Sequence, residues 1–298
     1  MEHITEFAKS ALNLFRSVVK PVYITDDLTH FDPRKKTIIL KKNSKKQSSN
    51  EQSANKQSAR ELGIFSWNIW RGYNKEQILT SLKTIFQEKN PSVLFFQEIP
   101  VYEKSSLVNH FLEDFLFKKY SLFYAPNHLV KKNSHFYPFS HSGPAIASEY
   151  PFLETKVYPL PTVANQHLGK NHVVKRIVLY ACISLAKKKI GLYNVHLECI
   201  AGERGRRKQI DYILDLIKSK KDDVVIIGGD FNFLFGNFFE GGISLLEKNG
   251  FSNLFSDWEL RKYPRLDYFF VKGASAKGMQ LKGKGSDHQP VGCVVDLK

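Results

Sequence analysis

Polar residues of the kind that enzymes use for catalysis lie at the ends of several predicted strands in this chain of 298 residues. The stretch GGDFN follows the apolar run 224–227, so a predicted strand delivers Asp230 and Asn232 into a turn. The same pattern recurs at other strand ends, whose polar residues are Asn68, Glu98, His196, Glu198, Asp267, Asp287 and His288. Because an unpartnered buried carboxylate is costly, this recurrence indicates one shared site.

These residue types suit the metal-assisted hydrolysis of a phosphate ester. A hard divalent cation such as Mg²⁺, for which Mn²⁺ can substitute, binds oxygen ligands, and Glu98, Asp287 and the Asn68 amide can supply them. The sequence has no HExxH motif and no Cys/His cluster, which argues against zinc. Either Asp230 or His288 can serve as the base for an attacking water.

Two further residues are candidates for stabilising the charge that develops on the phosphoryl oxygens. His196 and Asn232 can do so together with the metal. A catalytic histidine needs a carboxylate that orients its ring, and Asp267 is the candidate partner for His288.

The apolar pattern predicts more strands than helices. Predicted strands span 62–69, 92–98, 120–125, 144–148, 152–158, 173–185, 189–198, 223–229, 265–271 and 290–296. Predicted helices span 75–87, 105–117, 203–218 and 242–248. Because hairpins mix with crossovers, we expect an α+β fold with two mixed sheets packed face to face and helices outside.

Composition divides the chain into three parts. Residues 1–40 form an appendage, in which apolar residues at helical spacing predict an amphipathic helix over 3–19. Residues 41–61 are rich in Lys, Ser and Gln and predict a linker that cannot bury enough surface to fold. Residues 62–298 form the catalytic domain.

Six motifs in order resemble those of the endonuclease/exonuclease/phosphatase superfamily, which has the deoxyribonuclease I-like fold. They are SWNI (66–69), FQEI (96–99), NVHLE (194–198), GGDFN (228–232), LDYFFV (266–271) and SDHQPV (286–291). The stretch HSGPAIASEYP (141–151) also resembles a strand of this family. The resemblance covers residues 62–298 and implies a four-layer αββα sandwich with the site at one end of two mixed β-sheets flanked by helices.

The resemblance also implies a role for each matching residue. Asn68 and Glu98 would hold the metal, and Asp287 would be a metal or water ligand. The implied catalytic residues are His196 on the scissile phosphate, Asp230 and Asn232 on water and phosphate, and Asp267 paired with His288.

Two departures separate this chain from the exonuclease III-type apurinic endonucleases. Those enzymes usually carry an aspartate where this sequence has Trp70, and they lack a histidine equivalent to His196. The chain is more similar to the deoxyribonuclease, sphingomyelinase, deadenylase and tyrosyl-DNA phosphodiesterase branches.

A net charge of +15 favours a polyanionic partner, such as nucleic acid, anionic lipid or inositol phosphate, although it can also serve solubility alone. Arg176, in an apolar run, and Arg207 are the candidate substrate-binding residues. Arg207 belongs to a basic helix start that also contains Arg204, Arg206 and Lys208. The aromatic stretch 135–144, which includes His141, is expected to be a loop bordering the cleft.

The resulting hypothesis is a divalent-metal-dependent nuclease acting on DNA or RNA. One alternative is a sphingomyelinase-like phospholipid phosphodiesterase, recruited to anionic membranes by the N-terminal helix and the Lys-rich linker. Another is a non-catalytic binding module with the same fold. We expect a monomer in the cytoplasm, because the three cysteines are scattered and no signal peptide or transmembrane segment is evident.

Overall fold

The computed structural model describes residues 34, 38–40, 60–101, 119–130, 141–163, 172–200, 202–233, 241–256 and 266–298. The predicted helices at 3–19 and 105–117 and nearly all of the predicted linker lie outside these ranges.

The strands of the described residues, in chain order, alternate with few helices. They are β1 Ile38–Leu40, β2 Glu61–Asn68, β3 Val93–Val101, β4 Ser121–Tyr124, β5 His128–Val130, β6 His141–Ser148, β7 Glu154–Pro159, β8 His172–Val174, β9 Ile177–Leu185, β10 Lys188–His196, β11 Val224–Asp230, β12 Ser252–Asn253, β13 Asp267–Lys272, β14 Ser275–Gln280 and β15 Val291–Asp296. The helices are α1 Lys75–Lys89, α2 Gly202–Lys218 and α3 Gly241–Lys248, and a 3₁₀ turn spans Trp70–Gly72.

The strands form two mixed sheets. The first sheet has the order β1-β4-β6-β3-β2-β15-β14, and β5 and β8 extend it beside β6. The second sheet has the order β12-β13-β11-β10-β9-β7. Apolar side chains of α1 pack on the first sheet, whereas those of α2 and α3 join the cluster of the second sheet. This is the predicted four-layer αββα sandwich. No helix among the described residues has the length and apolar character needed to cross a bilayer.

Each sheet contains one parallel pair, and this arrangement positions the site. Strands β2 and β3 are parallel with α1 between them in the chain, and β10 and β11 are parallel with α2 between them. The carboxyl ends of parallel strands meet at one edge of a sheet. The antiparallel strands β13 and β15 begin at these same edges, so residues at their starts join residues at the ends of the parallel pairs.

A buried amide network fixes one sheet against the other. The Asn194 Nδ2 atom donates to the Phe96 carbonyl oxygen at 2.9 Å and to the Ala145 carbonyl oxygen at 2.8 Å. The Gln97 Nε2 atom donates to Asn194 Oδ1 at 2.7 Å and to Ser66 Oγ at 3.2 Å. Because unpaired buried amides are costly, these bonds favour a single relative position of the two sheets.

Most predicted elements in the described part of the chain are present within three residues at each end. The predicted hairpin is also present, and its two turn residues, Ala186 and Lys187, have positive φ. The predicted strand 173–185 is wrong, since β8 lies in the first sheet and β9 in the second. Arg176 lies between them, so it crosses from one sheet to the other rather than lying within a strand.

Three strands escaped the sequence analysis, namely β1, β5 and β14. Two are only three residues long, and β14 is an exposed strand that lacks β-branched residues. Residues 38–40, which we predicted to belong to the appendage, instead pair with β4 at the edge of the first sheet.

The second glycine of GGDFN is required by the packing of β11 against β10. Gly229 has a φ of 131°, and a Cβ atom there would lie 2.2 Å from the Val195 carbonyl oxygen. We therefore expect Gly229→Ala to lower the free energy of unfolding by about 3 kcal/mol or more, measured by urea denaturation.

Gly63 is the matched control, because a Cβ atom there would meet only ordinary contacts from 3.7 Å outward. Gly63→Ala should be neutral or stabilise the protein by up to about 1 kcal/mol. Equal effects of the two substitutions would contradict this account of Gly229.

Candidate active site

A cleft of about 280 Å³ opens at the edge where the parallel pairs end. Eight of the ten predicted site residues line it, namely Asn68, Glu98, Arg176, His196, Asp230, Asn232, Asp287 and His288. Asp267 does not line the cleft but contacts His288. Arg207 is exposed on α2 and does not line the cleft.

The Asp230 carboxylate is the centre of the polar contacts. It is 1% exposed, and its Oδ2 atom accepts a hydrogen bond from Asn68 Nδ2 at 2.9 Å. Its Oδ1 atom accepts from the Asn232 backbone N–H at 2.9 Å, and His196 Nε2 lies 3.3 Å from Oδ2. Burial raises the pKa of Asp230 to about 6, against the opposing charge of His288.

Strand register explains why these side chains meet. Asp230 pairs with His196 across the parallel pair β10–β11 and with Asp267 across the antiparallel pair β11–β13. The three residues therefore form one row across the second sheet. Neighbouring strands in a sheet lie about 4.8 Å apart, so their side chains project together into the space between the sheets.

His288 completes this row from the other sheet. Its Nδ1 atom lies 2.6 Å from Asp267 Oδ2, and its Nε2 atom lies 3.7 Å from Asp230 Oδ2. Burial lowers the pKa of His288, but the Asp267 and Asp230 carboxylates outweigh burial and raise the pKa to about 10. The ring is therefore an imidazolium at neutral pH.

The segment that carries His288 is tied to strand β2. The Trp67 Nε1 atom donates to the His288 carbonyl oxygen at 2.9 Å. The Ser286 hydroxyl donates to the Asn68 carbonyl oxygen at 2.7 Å and accepts from the His288 backbone N–H at 3.1 Å. These bonds explain why the SDH and SWN motifs occur together.

Glu98 enters the cleft at a β-bulge. The register of β3 against β6 shifts between Phe96 and Ile99, and Glu98 has a φ of 56°. A bulge of this kind re-aims a side chain. The Arg71 Nε atom lies 3.1 Å from Glu98 Oε2. Burial raises the pKa of Glu98, and the charges of Arg71 and Arg176 oppose that shift.

The chemistry of the predicted metal ligands fits a hard divalent cation. Glu98, Asn68 and Asp287 offer only oxygen ligands, and within the described part of the chain Glu98 Oε2 is buried and accepts no hydrogen bond. The Asp287 side chain is exposed at the mouth of the cleft. In the described ranges, no three His, Cys, Asp or Glu side chains cluster closely enough to hold an ion together.

Arg176 is a buried cation of the cleft wall. It is 8% exposed, and its Nε atom lies 3.5 Å from Glu198 Oε2. The Glu198 carboxylate in turn accepts from the backbone N–H of Cys199 at 3.0 Å. This pairing keeps the guanidinium fixed in position at the cleft wall.

The basic start of α2 does not form the predicted phosphate-contacting patch. Arg206 is buried, and its guanidinium donates to the carbonyl oxygens of Glu198 and Cys199 at 3.5 and 3.4 Å. This residue therefore holds the loop after β10 rather than a ligand. Arg204, Arg207 and Lys208 are exposed on the helix, away from the cleft lining.

Several cleft residues were missed by the sequence analysis, and they are Trp70, Arg71, Asn127, His128, Ser142, Val174, Cys199 and Leu266. Asn127 carried the signal that identified Asn68, because it is a polar residue just after the end of strand β4. It is 4% exposed. His141, expected in a loop, is instead the first residue of β6 and is buried.

Comparison with known proteins identifies the family. A sequence profile described as the Endonuclease/Exonuclease/phosphatase family matches residues 65–288. The chain belongs to this family. The predicted family is thus confirmed, and the order of its motifs corresponds to the strand ends that build the cleft. No curated protein sequence matches the chain.

Solved structures of low identity share the fold. A family member from Beutenbergia cavernae is 15% identical with a TM-score of 0.62, over 80% of this chain and 72% of that one. D. rerio TDP2 with a single-stranded DNA product is 18% identical with a TM-score of 0.59, over 80% and 100%. The human Nocturnin catalytic domain with bound sulfate is 15% identical with a TM-score of 0.61, over 80% and 93%. These similarities confirm the fold prediction.

The pair formed by Asp267 and His288 generates a prediction. Asp267→Asn keeps a hydrogen-bond acceptor for Nδ1 but removes the charge that offsets burial of the imidazolium. We expect kcat for a chromogenic phosphodiester to fall by about 100-fold or more, with little change in the urea midpoint. Asp211→Asn, on the exposed face of α2, is the control and should leave kcat unchanged. Full activity of the Asp267→Asn protein would contradict a role for this pair.

Proposed function

We propose that this protein is a divalent-metal-dependent phosphodiester hydrolase that acts on nucleic acid. The observation that carries the proposal is the convergence of a buried carboxylate, Asp230, with the cationic side chains of His288 and Arg176 on one cleft. Such a site combines a proton acceptor with buried positive charge for a phosphoryl group.

The choice of nucleic acid as substrate has two supports. The net charge of +15 attracts an extended polyanion. D. rerio TDP2, which has a similar fold, has been crystallised with a single-stranded DNA product. Fold alone does not fix a substrate, so the experiments below compare nucleic acid with lipid.

In the proposed reaction Asp230 activates the attacking water. Both of its oxygens are oriented, by Asn68 and by the Asn232 backbone, so the carboxylate is preorganised at the cleft wall. With a pKa of about 6 it is mainly ionised at neutral pH and can accept a proton, whereas His288 is already protonated. Of the two candidate bases, we therefore assign this role to Asp230.

The cationic and amide groups of the chain stabilise the transition state. His288 and Arg176 present buried positive charge to the phosphoryl oxygens. His196 acts as a neutral imidazole, because burial and the nearby cations lower its pKa well below the ordinary range. Asn232, whose Nδ2 donates to the Leu197 carbonyl oxygen at 2.9 Å, fixes the turn after β11.

Glu98, Asn68 and Asp287 would hold the cation, Mg²⁺ or Mn²⁺ in its place. A bound divalent cation supplies further positive charge for the phosphoryl oxygens. Arg71 balances the Glu98 carboxylate in the protein without metal. The complete set of polar residues in the cleft argues against the alternative of a non-catalytic binding module. A monomer in the cytoplasm stays a prediction.

A substrate panel tests the reaction and its substrate class. With Mg²⁺, the full-length protein should hydrolyse single-stranded DNA or RNA faster than sphingomyelin vesicles. Asp230→Ala should lower the hydrolysis rate at least about 1,000-fold, because the water loses its base. A folded Asp230→Ala protein that retains full activity would overturn the assignment.

Metal binding generates a separate prediction. Glu98→Gln removes the buried carboxylate charge and should weaken Mn²⁺ binding at least about 10-fold, measured by isothermal titration calorimetry. Glu76→Gln, exposed on α1, is the matched control and should bind Mn²⁺ like the wild type. Equal Mn²⁺ affinity of the Glu98→Gln protein would exclude Glu98 as a ligand.

A further inference from the structure

An aromatic pair stands exposed at the mouth of the cleft. The Trp70 side chain lines the cleft, and its ring centroid lies 5.0 Å from that of Tyr73. Trp70 is 38% and Tyr73 45% exposed, and within the described ranges they are the exposed large aromatic side chains. Exposed aromatic faces beside a buried phosphate site need an explanation, because aromatic rings gain most when they are covered.

The backbone beneath this pair is strained. Trp70 and Arg71 have φ values of 45° and 53°, a left-handed conformation that costs a side-chain-bearing residue about 1–2 kcal/mol. Strain of this kind persists where surrounding structure over-determines it, and it concentrates at functional sites. Here the Asn68 Oδ1 atom accepts from the Trp70 backbone N–H at 3.0 Å. The residue that contacts Asp230 therefore also holds the aromatic turn.

We propose that Trp70 and Tyr73 form a stacking platform for an unpaired nucleobase next to the scissile phosphate. This inference rests on the proposed function and narrows its substrate to single-stranded nucleic acid, since a base must be free of its own stack to cover the rings. Aromatic side chains beside a phosphate-binding groove bind single strands in this way, largely independently of sequence.

The surroundings of the pair favour a base over a membrane. Arg71, Asn74, Lys75 and Glu76 flank the two rings in the chain. An interfacial membrane anchor needs a continuous apolar face, whereas this turn alternates aromatic rings with polar and charged residues. The ring pair is also partly covered, so it offers a face rather than a protruding apolar wedge.

The platform also accounts for a departure from related enzymes noted in the sequence. Exonuclease III-type endonucleases usually carry an aspartate at this position, where the chain has Trp70. A carboxylate cannot stack on a base and would repel the neighbouring phosphates. The change from aspartate to tryptophan therefore alters how the substrate next to the cleaved bond is held.

The test is a cycle that removes the ring and the base in turn. The substrate is a single-stranded oligonucleotide with one hydrolysable phosphodiester, flanked by uncharged methylphosphonate linkages. Matched oligonucleotides carry an abasic nucleotide on one or the other side of that bond. Trp70→Asn removes the ring while keeping a residue that tolerates positive φ, and Trp70→Phe restores a ring.

We expect Trp70→Asn to lower kcat/KM about 5- to 150-fold, mainly through KM, the range for loss of one stacked base. One of the two abasic oligonucleotides should lose a similar factor with the wild type, and combining both changes should lose no more than either alone. Trp70→Phe should recover most of the activity. Leu153→Asn, an exposed apolar residue outside the cleft lining, is the control and should match the wild type.

Losses that multiply in the combined case, or a Trp70→Asn protein with wild-type KM, would overturn the platform. So would a Trp70→Asn protein that loses hydrolysis of sphingomyelin vesicles but keeps hydrolysis of the oligonucleotide. A wild-type protein that cleaves no oligonucleotide would instead overturn the proposed function, so the two failures are distinguishable.

Discussion

The burial of one carboxylate constrains the rest of this site. Asp230 is 1% exposed, and an ionised carboxylate in that position is tolerated only when its partners are fixed. Those partners come from four strand ends and one loop: Asn68, Asn232, His196, Asp267 through His288, and His288 itself. The architecture that brings them together is therefore a condition for both folding and activity.

Two parallel pairs within mixed sheets satisfy this condition. Each pair ends in the space between the sheets, one with Asn68 and the segment before Glu98, the other with His196 and Asp230. Gly229 lets β11 approach β10 closely, and the Asn194–Gln97 network keeps the sheets in register just below the cleft. Substitutions that leave the catalytic residues intact can thus still displace them by changing this support.

The strand ends that build the cleft could be predicted from the sequence, because an apolar run followed by a carboxylate or amide is a local signal. GDFN and SDH carried this signal, and so did Asn127, where it was not applied. The side chains that depend on tertiary partners could not be predicted. The bulge that turns Glu98 into the cleft, its pairing with Arg71 and the burial of Arg206 follow from contacts between segments distant in sequence. The change of sheet at Arg176 has the same origin, since an apolar run does not reveal which sheet each half joins.

The central claim is that Asp230 and His288 act as one unit, with the carboxylate taking the proton from water and the imidazolium stabilising the phosphoryl charge. The most direct test is a double-mutant cycle of Asp230→Asn and His288→Gln, with single-turnover cleavage of a single-stranded oligonucleotide in Mg²⁺ as the measurement. Residues that act as a unit are strongly non-additive, so the account predicts that the double variant cleaves no more slowly than the slower single variant. Rate losses that multiply in the double variant would show that the two residues act independently and would contradict the account.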